Sequence, residues 1–490
     1  MGSSFTFQGI TKGIYLLPYS NHLEKLRKIK EGEISLEENL KFFLSRIEKN
    51  KDLNAFNFVF EKEAIEKAGI IEKKIKSGSG GKLAGMVIAV KDILSIKDKP
   101  TTCSSEILKY FTSVYSATSV QKLIDEDGII IGKTNCDEFA MGSSNENSAF
   151  GTALNPVDKE RVPGGSSGGS ASAVAATLCD VALGTDTGGS IRQPASFCGV
   201  YGLKPTYGRI SRYGLTAFAS SFDTIGAFSN NPTDLALLME VMSGKDEKDS
   251  TSSDKLVPEF SKIIGESKDK VRVGIPKEYF SEGLSDEVKN EIGKLINNLG
   301  NSGFEISDIT LPHSEFSIAT YYILTTAEAS SNLARFDGAR YGHRAKDQDS
   351  LIDMYKTSRS EGFGTEVKRR IMLGTYVLSH GYYDEYYIKA QKVRRLIKND
   401  FDDAFGKVDL ILTPTTPTTA FKLGEKSSDP LEMYLSDVYT TSANLAGIPG
   451  LNIPIGKDKN SLPIGAQLLA GQFNEEILLQ TAQFISGQIL

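Results

Sequence analysis

The sequence has few histidines and cysteines, which limits the chemistry that it can support. None of the histidines lies in a recognisable motif, and no two cysteines form a C-x-x-C pair. The four histidines are His22, His313, His343 and His380. The four cysteines are Cys103, Cys136, Cys179 and Cys198. This pattern argues against a zinc site, and we expect no bound metal and free, buried thiols in a reducing compartment.

Long apolar runs and an excess of positive charge are also absent. No run approaches the roughly 18 apolar residues that cross a membrane, and no signal peptide is recognisable, so the sequence predicts a cytoplasmic protein without membrane association. The 56 basic and 62 acidic residues give a formal net charge of −6, which argues against tight nucleic-acid binding by this chain alone. With 490 residues, 40% hydrophobic and 24% charged, the composition is that of an ordinary globular protein.

The most informative stretch, residues 161–206, contains two clusters rich in serine and glycine. The first Ser/Gly cluster is residues 164–170, GGSSGGS, and the second is residues 184–190, GTDTGGS. Such runs are commonly flexible linkers. Residues 171–183 are nearly all small and apolar, however, which predicts a buried helix between the clusters. The two clusters are therefore interpreted as site loops on a rigid scaffold, where glycine lets a ligand approach the backbone closely.

Two familiar motifs can be tested against this region. Residues 164–168 match the G-x-S-x-G nucleophile turn of α/β-hydrolases, with Ser166 as nucleophile, but that interpretation needs a later acid and histidine, and no histidine motif supports it. Residues 132–134 are Gly-Lys-Thr, as in a phosphate-binding P-loop. The glycine required five positions earlier is Asp127, so this match fails.

A lysine offers a third kind of base. Residues 85–92, GMVIAVKD, have the β-branched composition of a buried strand that ends in Lys91. A lysine can activate a serine hydroxyl only when it is neutral, so burial or nearby positive charge must lower its pKa from about 10.4. A solvated strand end is the alternative interpretation of Lys91.

Taken together, VIAVKD, GGSSGGS and GTDTGGSIRQPASFCG resemble the amidase signature family in order and spacing. The resemblance implies an α/β fold with one large mixed β-sheet, flanked by helices on both faces, as a single large domain. It also implies that Ser190 attacks the amide carbonyl, that Ser166, held by a cis peptide, relays the proton, and that Lys91 is the general base. The implied oxyanion hole is the backbone N–H groups of Thr187, Gly188, Gly189 and Ser190. The implied lining of the substrate pocket includes Met141, Gly142 and Ser143.

The second half of the chain narrows the resemblance. Residues 328–338, 366–376 and 382–391 are similar to the A subunits of glutamyl-tRNA(Gln)/aspartyl-tRNA(Asn) amidotransferases. Glutamine is a zwitterion, so a selective pocket needs a cation for its carboxylate and an anion for its ammonium. By position in the family motif, Arg370 and Asp437 fit these roles. Arg369 is a second candidate for the cation that binds the carboxylate. The alternative interpretation is that Arg370 and Asp437 each lie on a solvated helix face.

The resemblance carries expectations about partners. It implies a ligase of protein biosynthesis in which this chain hydrolyses glutamine through an acyl-enzyme and releases ammonia. A B-type subunit would hold ATP and Mg²⁺ and most of the misacylated tRNA, and a small C-type subunit would complete a heterotrimer, so no cofactor is expected in this chain. A free-standing amidase for another carboxamide and a non-catalytic scaffold with the same fold are the alternatives.

The resemblance implies the domain boundaries, and composition marks a polar junction within them. Residues 1–20 lie outside the resemblance and are interpreted as an N-terminal extension, and residues 21–490 as one amidase signature domain. Within it we expect a catalytic core over about residues 80–230 and a second half over about residues 256–490, joined by the polar loop 243–255. Residues 35–38, Ser-Leu-Glu-Glu, predict the capped start of a helix that runs to about Glu48.

Overall fold

One mixed β-sheet runs through the computed structural model of the protein. The described residues are 17–266, 270–280, 283–427 and 429–489. Their strands are β1 (Phe56–Val59), β2 (Val87–Lys91), β3 (Ile129–Thr134), β4 (Val181–Asp186), β5 (Tyr201–Lys204), β6 (Thr224–Ser229), β7 (Arg272–Pro276), β8 (Glu305–Ile309), β9 (Leu410–Pro414), β10 (Gly450–Lys457) and β11 (Pro463–Ala470). Within the described residues these eleven strands pair in the order β1-β3-β2-β4-β6-β5-β10-β11-β9-β7-β8.

Helices cover both faces of this sheet. They are α1 (His22–Glu31), α2 (Leu36–Lys49), α3 (Glu61–Ser77), α4 (Thr118–Asp125), α5 (Gly168–Ala175), α6 (Arg192–Cys198), α7 (Pro232–Met242), α8 (Phe260–Ile263), α9 (Asp286–Asn301), α10 (Ser317–Asn332), α11 (Leu351–Gly362), α12 (Thr365–Val377), α13 (Lys389–Phe405), α14 (Pro430–Tyr434), α15 (Thr441–Ala446) and α16 (Glu475–Gln488).

Strand β2 shows why both faces are covered. Its side chains alternate, so Val87 and Ala89 join the apolar core that also contains residues of α2 and α3, whereas Ile88 and Val90 join a second core that contains residues of α4 and α7. All five residues of β2 are buried, as the apolar run predicted. The mixed sheet with flanking helices confirms the fold class predicted from the sequence.

The local predictions are partly confirmed. Helix α2 begins at the predicted place, where the Ser35 side chain accepts a hydrogen bond from the Glu38 N–H and caps the helix. The predicted helix over residues 171–183 is wrong in length, because α5 ends at Ala175 and the chain then forms β4. Small, apolar residues suit a buried helix and a buried strand equally, so composition could not separate the two.

The two halves of the chain share the sheet. Strands β1–β6 form one side, β7–β11 form the other, and the antiparallel pair β5–β10 joins them. The polar loop 243–255 connects α7 to α8, and Asp249 in it accepts the Arg212 N–H at 2.8 Å. Residues 1–16 of the predicted N-terminal extension lie outside the described residues. In the part of the chain that is described, no helix has the length and apolar character needed to cross a bilayer.

Candidate active site

Lys91 lies at the end of β2 and is fully buried. Its Nζ atom is 2.7 Å from Ser166 Oγ, 2.9 Å from Ser167 Oγ and 2.8 Å from Thr185 Oγ1. Burial lowers the pKa of Lys91 to about 8, because an ammonium group is poorly solvated in the protein interior. The structure therefore places Lys91 against Ser166, in surroundings that make its ammonium group easier to deprotonate than that of a free lysine.

Ser167 and Thr185 are two neighbours of the lysine that the sequence did not predict. Ser167 Oγ donates to the Thr185 carbonyl at 3.1 Å and accepts the Thr185 N–H at 3.2 Å, which ties the first Ser/Gly cluster to β4. Ser167 lies in the first Ser/Gly cluster and Thr185 in the second, so the sequence already marked both as part of a candidate site. Their contact with Lys91 depends on the pairing of β2 with β4, which the sequence pattern did not specify.

Ser166 follows a cis peptide bond with Gly165, as the resemblance implied. The Gly165 N–H donates to Gln193 Oε1 at 3.0 Å, and the Asp137 N–H donates to the Ser166 carbonyl at 3.2 Å. A Cβ atom placed on Gly165 would lie 2.1 Å from Asp137 Oδ2, so a larger residue could not occupy this position without displacing that carboxylate. Gln193 and Asp137 thus hold the backbone around Ser166 from two sides.

Ser190 lies in the turn between β4 and α6 and is only 8% exposed. Its carbonyl accepts the Ser167 N–H at 3.3 Å, so the two Ser/Gly clusters run side by side. The structure therefore brings the three predicted catalytic residues, Lys91, Ser166 and Ser190, into one region.

The buried carboxylate of Asp186 organises the turn that contains Ser190. It accepts the Gly189 N–H at 2.9 Å and the Ile191 N–H at 3.2 Å. Arg192 binds it through two nitrogens, each at 3.0 Å. Burial alone raises the pKa of Asp186, but the charge and hydrogen bonds of Arg192 outweigh burial and lower the pKa to about 2. Asp186 is therefore a permanent anion that fixes this turn.

This arrangement bears on the predicted oxyanion hole. The Gly189 N–H, one of the four predicted donors, is already bonded to Asp186. The glycines are needed on steric grounds: a Cβ on Gly188 would lie 2.5 Å from the Tyr321 ring, and one on Gly189 would lie 2.2 Å from Thr440 Oγ1. The oxyanion roles of Thr187, Gly188, Gly189 and Ser190 stay predictions.

Arg370 is buried on α12. Its Nε donates to Glu366 at 2.8 Å, and its Cζ lies 5.6, 5.2 and 5.5 Å from the ring centres of Phe218, Tyr322 and Tyr434. Its two terminal nitrogens have no hydrogen-bond partner among the described residues. A buried cation with free donors, enclosed by aromatic rings, suits an anionic ligand.

The neighbouring Arg369 is placed differently. Its side chain is 41% exposed, whereas that of Arg370 is 3% exposed, and it pairs with the other oxygen of Glu366. Of the two arginines, Arg370 is therefore the enclosed one, and its role in the pocket stays a prediction.

Asp437 is a buried acid beside the turn that contains Ser190. Ser143 Oγ donates to its Oδ2 at 2.5 Å, while its Oδ1 is buried with no hydrogen-bond partner in the described structure. A Cβ placed on Gly189 would be 3.1 Å from that Oδ1, so the free oxygen faces the turn that carries Ser190. Burial raises the pKa of Asp437 to about 7, and the hydrogen bond from Ser143 opposes this rise.

The other predicted pocket residues lie in the loop beside this anion. Ser143 contacts Asp437 directly, and its carbonyl accepts the Gln193 side-chain amide at 2.7 Å. A Cβ on Gly142 would be 2.3 Å from the Asp137 carboxyl carbon, so glycine is required there. Met141 is fully buried and packs in the apolar core.

The structure gives no support to a serine–histidine triad. Ser166 is bonded to Lys91, and among the described residues no histidine is hydrogen-bonded to Ser166 or Ser190. His313 pairs with Asp400 at 2.8 Å, and His343 pairs with Glu361 at 2.6 Å. Within the described residues, no group of three or more histidine, cysteine or acidic side chains could hold a metal ion.

Comparison with known proteins agrees with this geometry. The family model "Amidase" matches residues 38–479. The A subunit of glutamyl-tRNA(Gln) amidotransferase from Koribacter versatilis (strain Ellin345) is 55% identical over 90% of this chain and 93% of its own length. The protein of the same name from Chlorobium phaeobacteroides (strain BS1) is 54% identical over 95% of this chain and 98% of its own length. The crystal structure of the Thermotoga maritima protein, which is again the A subunit of glutamyl-tRNA(Gln) amidotransferase, is 40% identical, covers 94% of both chains and superposes with a TM-score of 0.78.

Proposed function

This chain belongs to the Amidase family, and from that premise we propose that it is the glutamine-hydrolysing A-type component of a tRNA-dependent amidotransferase. The observation that carries the proposal is the 2.7 Å contact between Lys91 Nζ and Ser166 Oγ in a fully buried site. The names of relatives that are 54–55% identical over most of the chain support the particular reaction.

The proposed chemistry begins with neutral Lys91. It takes the hydroxyl proton of Ser166 as Ser166 takes that of Ser190, and Ser190 Oγ attacks the side-chain amide carbon of glutamine. Backbone N–H groups of the turn around Ser190 stabilise the oxyanion. The intermediate collapses to a glutamyl ester of Ser190, and the proton returns through Ser166 to the leaving ammonia. Water then attacks the ester by the same proton route and releases glutamate.

Substrate selection uses the two buried ions. The free terminal nitrogens of Arg370 receive the α-carboxylate of glutamine, and the unpartnered Oδ1 of Asp437 receives its α-ammonium. A simple aliphatic amide would fill the pocket but leave the terminal nitrogens of Arg370 and Oδ1 of Asp437 without hydrogen-bond partners, which is unfavourable for buried polar atoms. This requirement favours glutamine over the substrates of a free-standing amidase.

The ammonia serves a larger assembly in this proposal. A B-type subunit uses it with ATP and Mg²⁺ to convert Glu-tRNA(Gln) to Gln-tRNA(Gln), or Asp-tRNA(Asn) to Asn-tRNA(Asn), and a small C-type subunit completes the heterotrimer. The chain itself carries no cofactor and contacts tRNA mainly through its partner, which fits its net charge of −6. The cytoplasmic location predicted from the sequence belongs to the same proposal.

Ammonia release from glutamine and from a panel of simple amides tests this function. We expect the chain to prefer glutamine, and the rate to rise when the partner subunits and misacylated tRNA are added. Fast turnover of simple amides without partners, with glutamine a poor substrate, would instead identify a free-standing amidase.

Replacement of the nucleophile distinguishes an enzyme from a scaffold. Ser190→Ala should lose essentially all ammonia release, since no other group in the proposed route can form the ester. The melting temperature and assembly with the partner subunits should stay close to those of the parent protein. Activity above about 5% of the parent value would remove Ser190 from the proposed role.

A further inference from the structure

Glu366 is a buried acid that contacts three different donors beside the pocket. Its Oε1 accepts Arg370 Nε at 2.8 Å and the Tyr434 hydroxyl at 3.1 Å, and its Oε2 accepts Arg369. The side chain is only 9% exposed. The family motifs in the sequence gave it no role, and the proposed proton route does not use it.

The contact with Arg370 determines which donors of that arginine remain available. A guanidinium group can bind a carboxylate through its Nε edge or through its two terminal nitrogens. Because Glu366 occupies Nε, only the terminal pair of Arg370 is free for a ligand. The three aromatic rings within 5.6 Å of Arg370 Cζ leave the guanidinium little freedom to turn.

The contact with Tyr434 links Glu366 to the opposite ion of the pocket. Tyr434 ends α14, and Asp437 follows it three residues later in a short 3-10 helix. The Tyr434 ring also stacks on that of Tyr322, with centres 3.7 Å apart and planes 23° from parallel. One oxygen of Glu366 therefore joins the helix that carries the pocket cation to the segment that carries the pocket anion.

We propose that Glu366 is a positioning residue, which directs the terminal nitrogens of Arg370 toward the substrate carboxylate and fixes their separation from Asp437. This inference rests on the proposed function. Glu366 does not touch the reacting atoms: it acts through Arg370 and Tyr434, and it determines selectivity for an amide that carries an α-carboxylate.

The test compares glutamine with 4-aminobutanamide, which keeps the amide and the ammonium but lacks the carboxylate. In the complex with the partner subunits, Glu366→Ala should raise KM for glutamine by about ten- to a hundredfold, the range for losing hydrogen bonds to a charged group. The fall in kcat should be much smaller. Glu366→Gln, which keeps one acceptor for Arg370 Nε, should have a KM for glutamine between those of the parent and Glu366→Ala. The preference for glutamine over 4-aminobutanamide should fall from the parent to Glu366→Gln and again to Glu366→Ala.

Two further variants separate positioning from general damage to the fold. Arg369→Ala is the matched control, because Arg369 binds the same acid from the exposed side, and its KM for glutamine should stay near the parent value. Combining Glu366→Ala with Arg370→Ala should raise KM by less than about twofold over Arg370→Ala alone, since Glu366 acts through that arginine.

The outcomes distinguish this inference from the proposed function. If the parent complex shows no preference for glutamine over 4-aminobutanamide, the proposed recognition of glutamine fails. If the parent shows the preference and Glu366→Ala retains it, or if Glu366→Ala weakens both substrates equally, the positioning role of Glu366 is overturned.

Discussion

At the scale of single residues, the site depends on burial that moves two pKa values toward neutrality. Lys91 is held by three hydroxyl groups, and no carboxylate of the described residues is bonded to its Nζ, so burial lowers its pKa. Asp437 receives one hydrogen bond from the described residues for its two oxygens, so burial raises its pKa. A carboxylate bonded to Lys91 would keep the amine protonated, and a cation bonded to Asp437 would occupy the place of the substrate ammonium.

The pKa of Lys91 predicts how the rate depends on pH. Only neutral Lys91 accepts a proton, and the neutral fraction falls as pH falls below about 8. We therefore expect kcat/KM to rise about tenfold per pH unit below that value and to level off above it. This part of the pH profile is measured as ammonia release from propionamide between pH 5.5 and 9.5, because that amide has no charged group of its own. A flat profile from pH 6 to 9 would contradict Lys91 as the base.

Asp437 predicts a second effect, confined to substrates that carry an ammonium group. As pH falls through about 7 its carboxylate is protonated and loses the charge that binds the ammonium. The ratio of kcat/KM for glutamine to that for propionamide cancels the contribution of Lys91, and this ratio should fall below pH 7. Asp437→Asn should lower the ratio at neutral pH and remove its dependence on pH. A pH-dependent ratio in that variant would assign the effect to another group.

At the scale of elements, the turn between β4 and α6 is held by a buried ion pair that connects both halves of the chain. Arg192 binds Asp186, the side chains of Asn444 and Gln467, and the Thr440 carbonyl at 3.1 Å. The turn therefore has a fixed shape before substrate binds, as stabilisation of an oxyanion by backbone N–H groups requires.

Removing the acid of this pair should damage stability and activity together. Asp186→Ala leaves Arg192 charged and buried without its anion, and loss of one partner of a buried pair costs about 3–5 kcal/mol. Asp52→Ala is the control, because Asp52 pairs with Lys159 where both side chains are 53% exposed, and it should cost less than about 1 kcal/mol. Urea unfolding measures both values. Equal losses of unfolding free energy in the two variants would show that the buried Asp186 pair stabilises the fold no more than the exposed Asp52 pair.

Sequence patterns could predict the parts of this molecule that depend on local spacing. The strand ending in Lys91 and the cap at Ser35 lie where the sequence indicated. The Ser/Gly clusters, predicted as loops, are loops only in part, because residues 168–170 begin α5 and residues 184–186 end β4. Contacts that depend on the pairing of distant strands could not be predicted from local patterns. Thr185 was therefore missed as a neighbour of Lys91, because their contact needs β2 to pair with β4. The roles of Arg370 and Asp437 came from the resemblance, because a buried and an exposed arginine on one helix look alike in sequence.

At the scale of the whole molecule, the halves on either side of loop 243–255 share one sheet and one active site. Strand β5 pairs with β10 along that junction, Ser143 bonds to Asp437 across it, and Arg192 bonds to Asn444. Within the loop, Glu247 and Lys248 are exposed, with the Glu247 side chain 87% exposed, whereas Asp249 is buried and accepts the Arg212 N–H. The covalent connection is thus peripheral, whereas the contacts between the halves are buried.

A cut in this loop should therefore leave the protein intact. With a specific protease site inserted beside Glu247, we expect the two fragments to elute together in gel filtration after cleavage and glutamine hydrolysis to stay within about twofold of the uncut value. Each half expressed alone should be poorly soluble, because it exposes β5 or β10 as an unpaired apolar edge and loses partners of Arg192. Fragments that separate after cleavage and remain folded would identify two independent domains, and the contacts across β5 and β10 would then be secondary to the cores on each side.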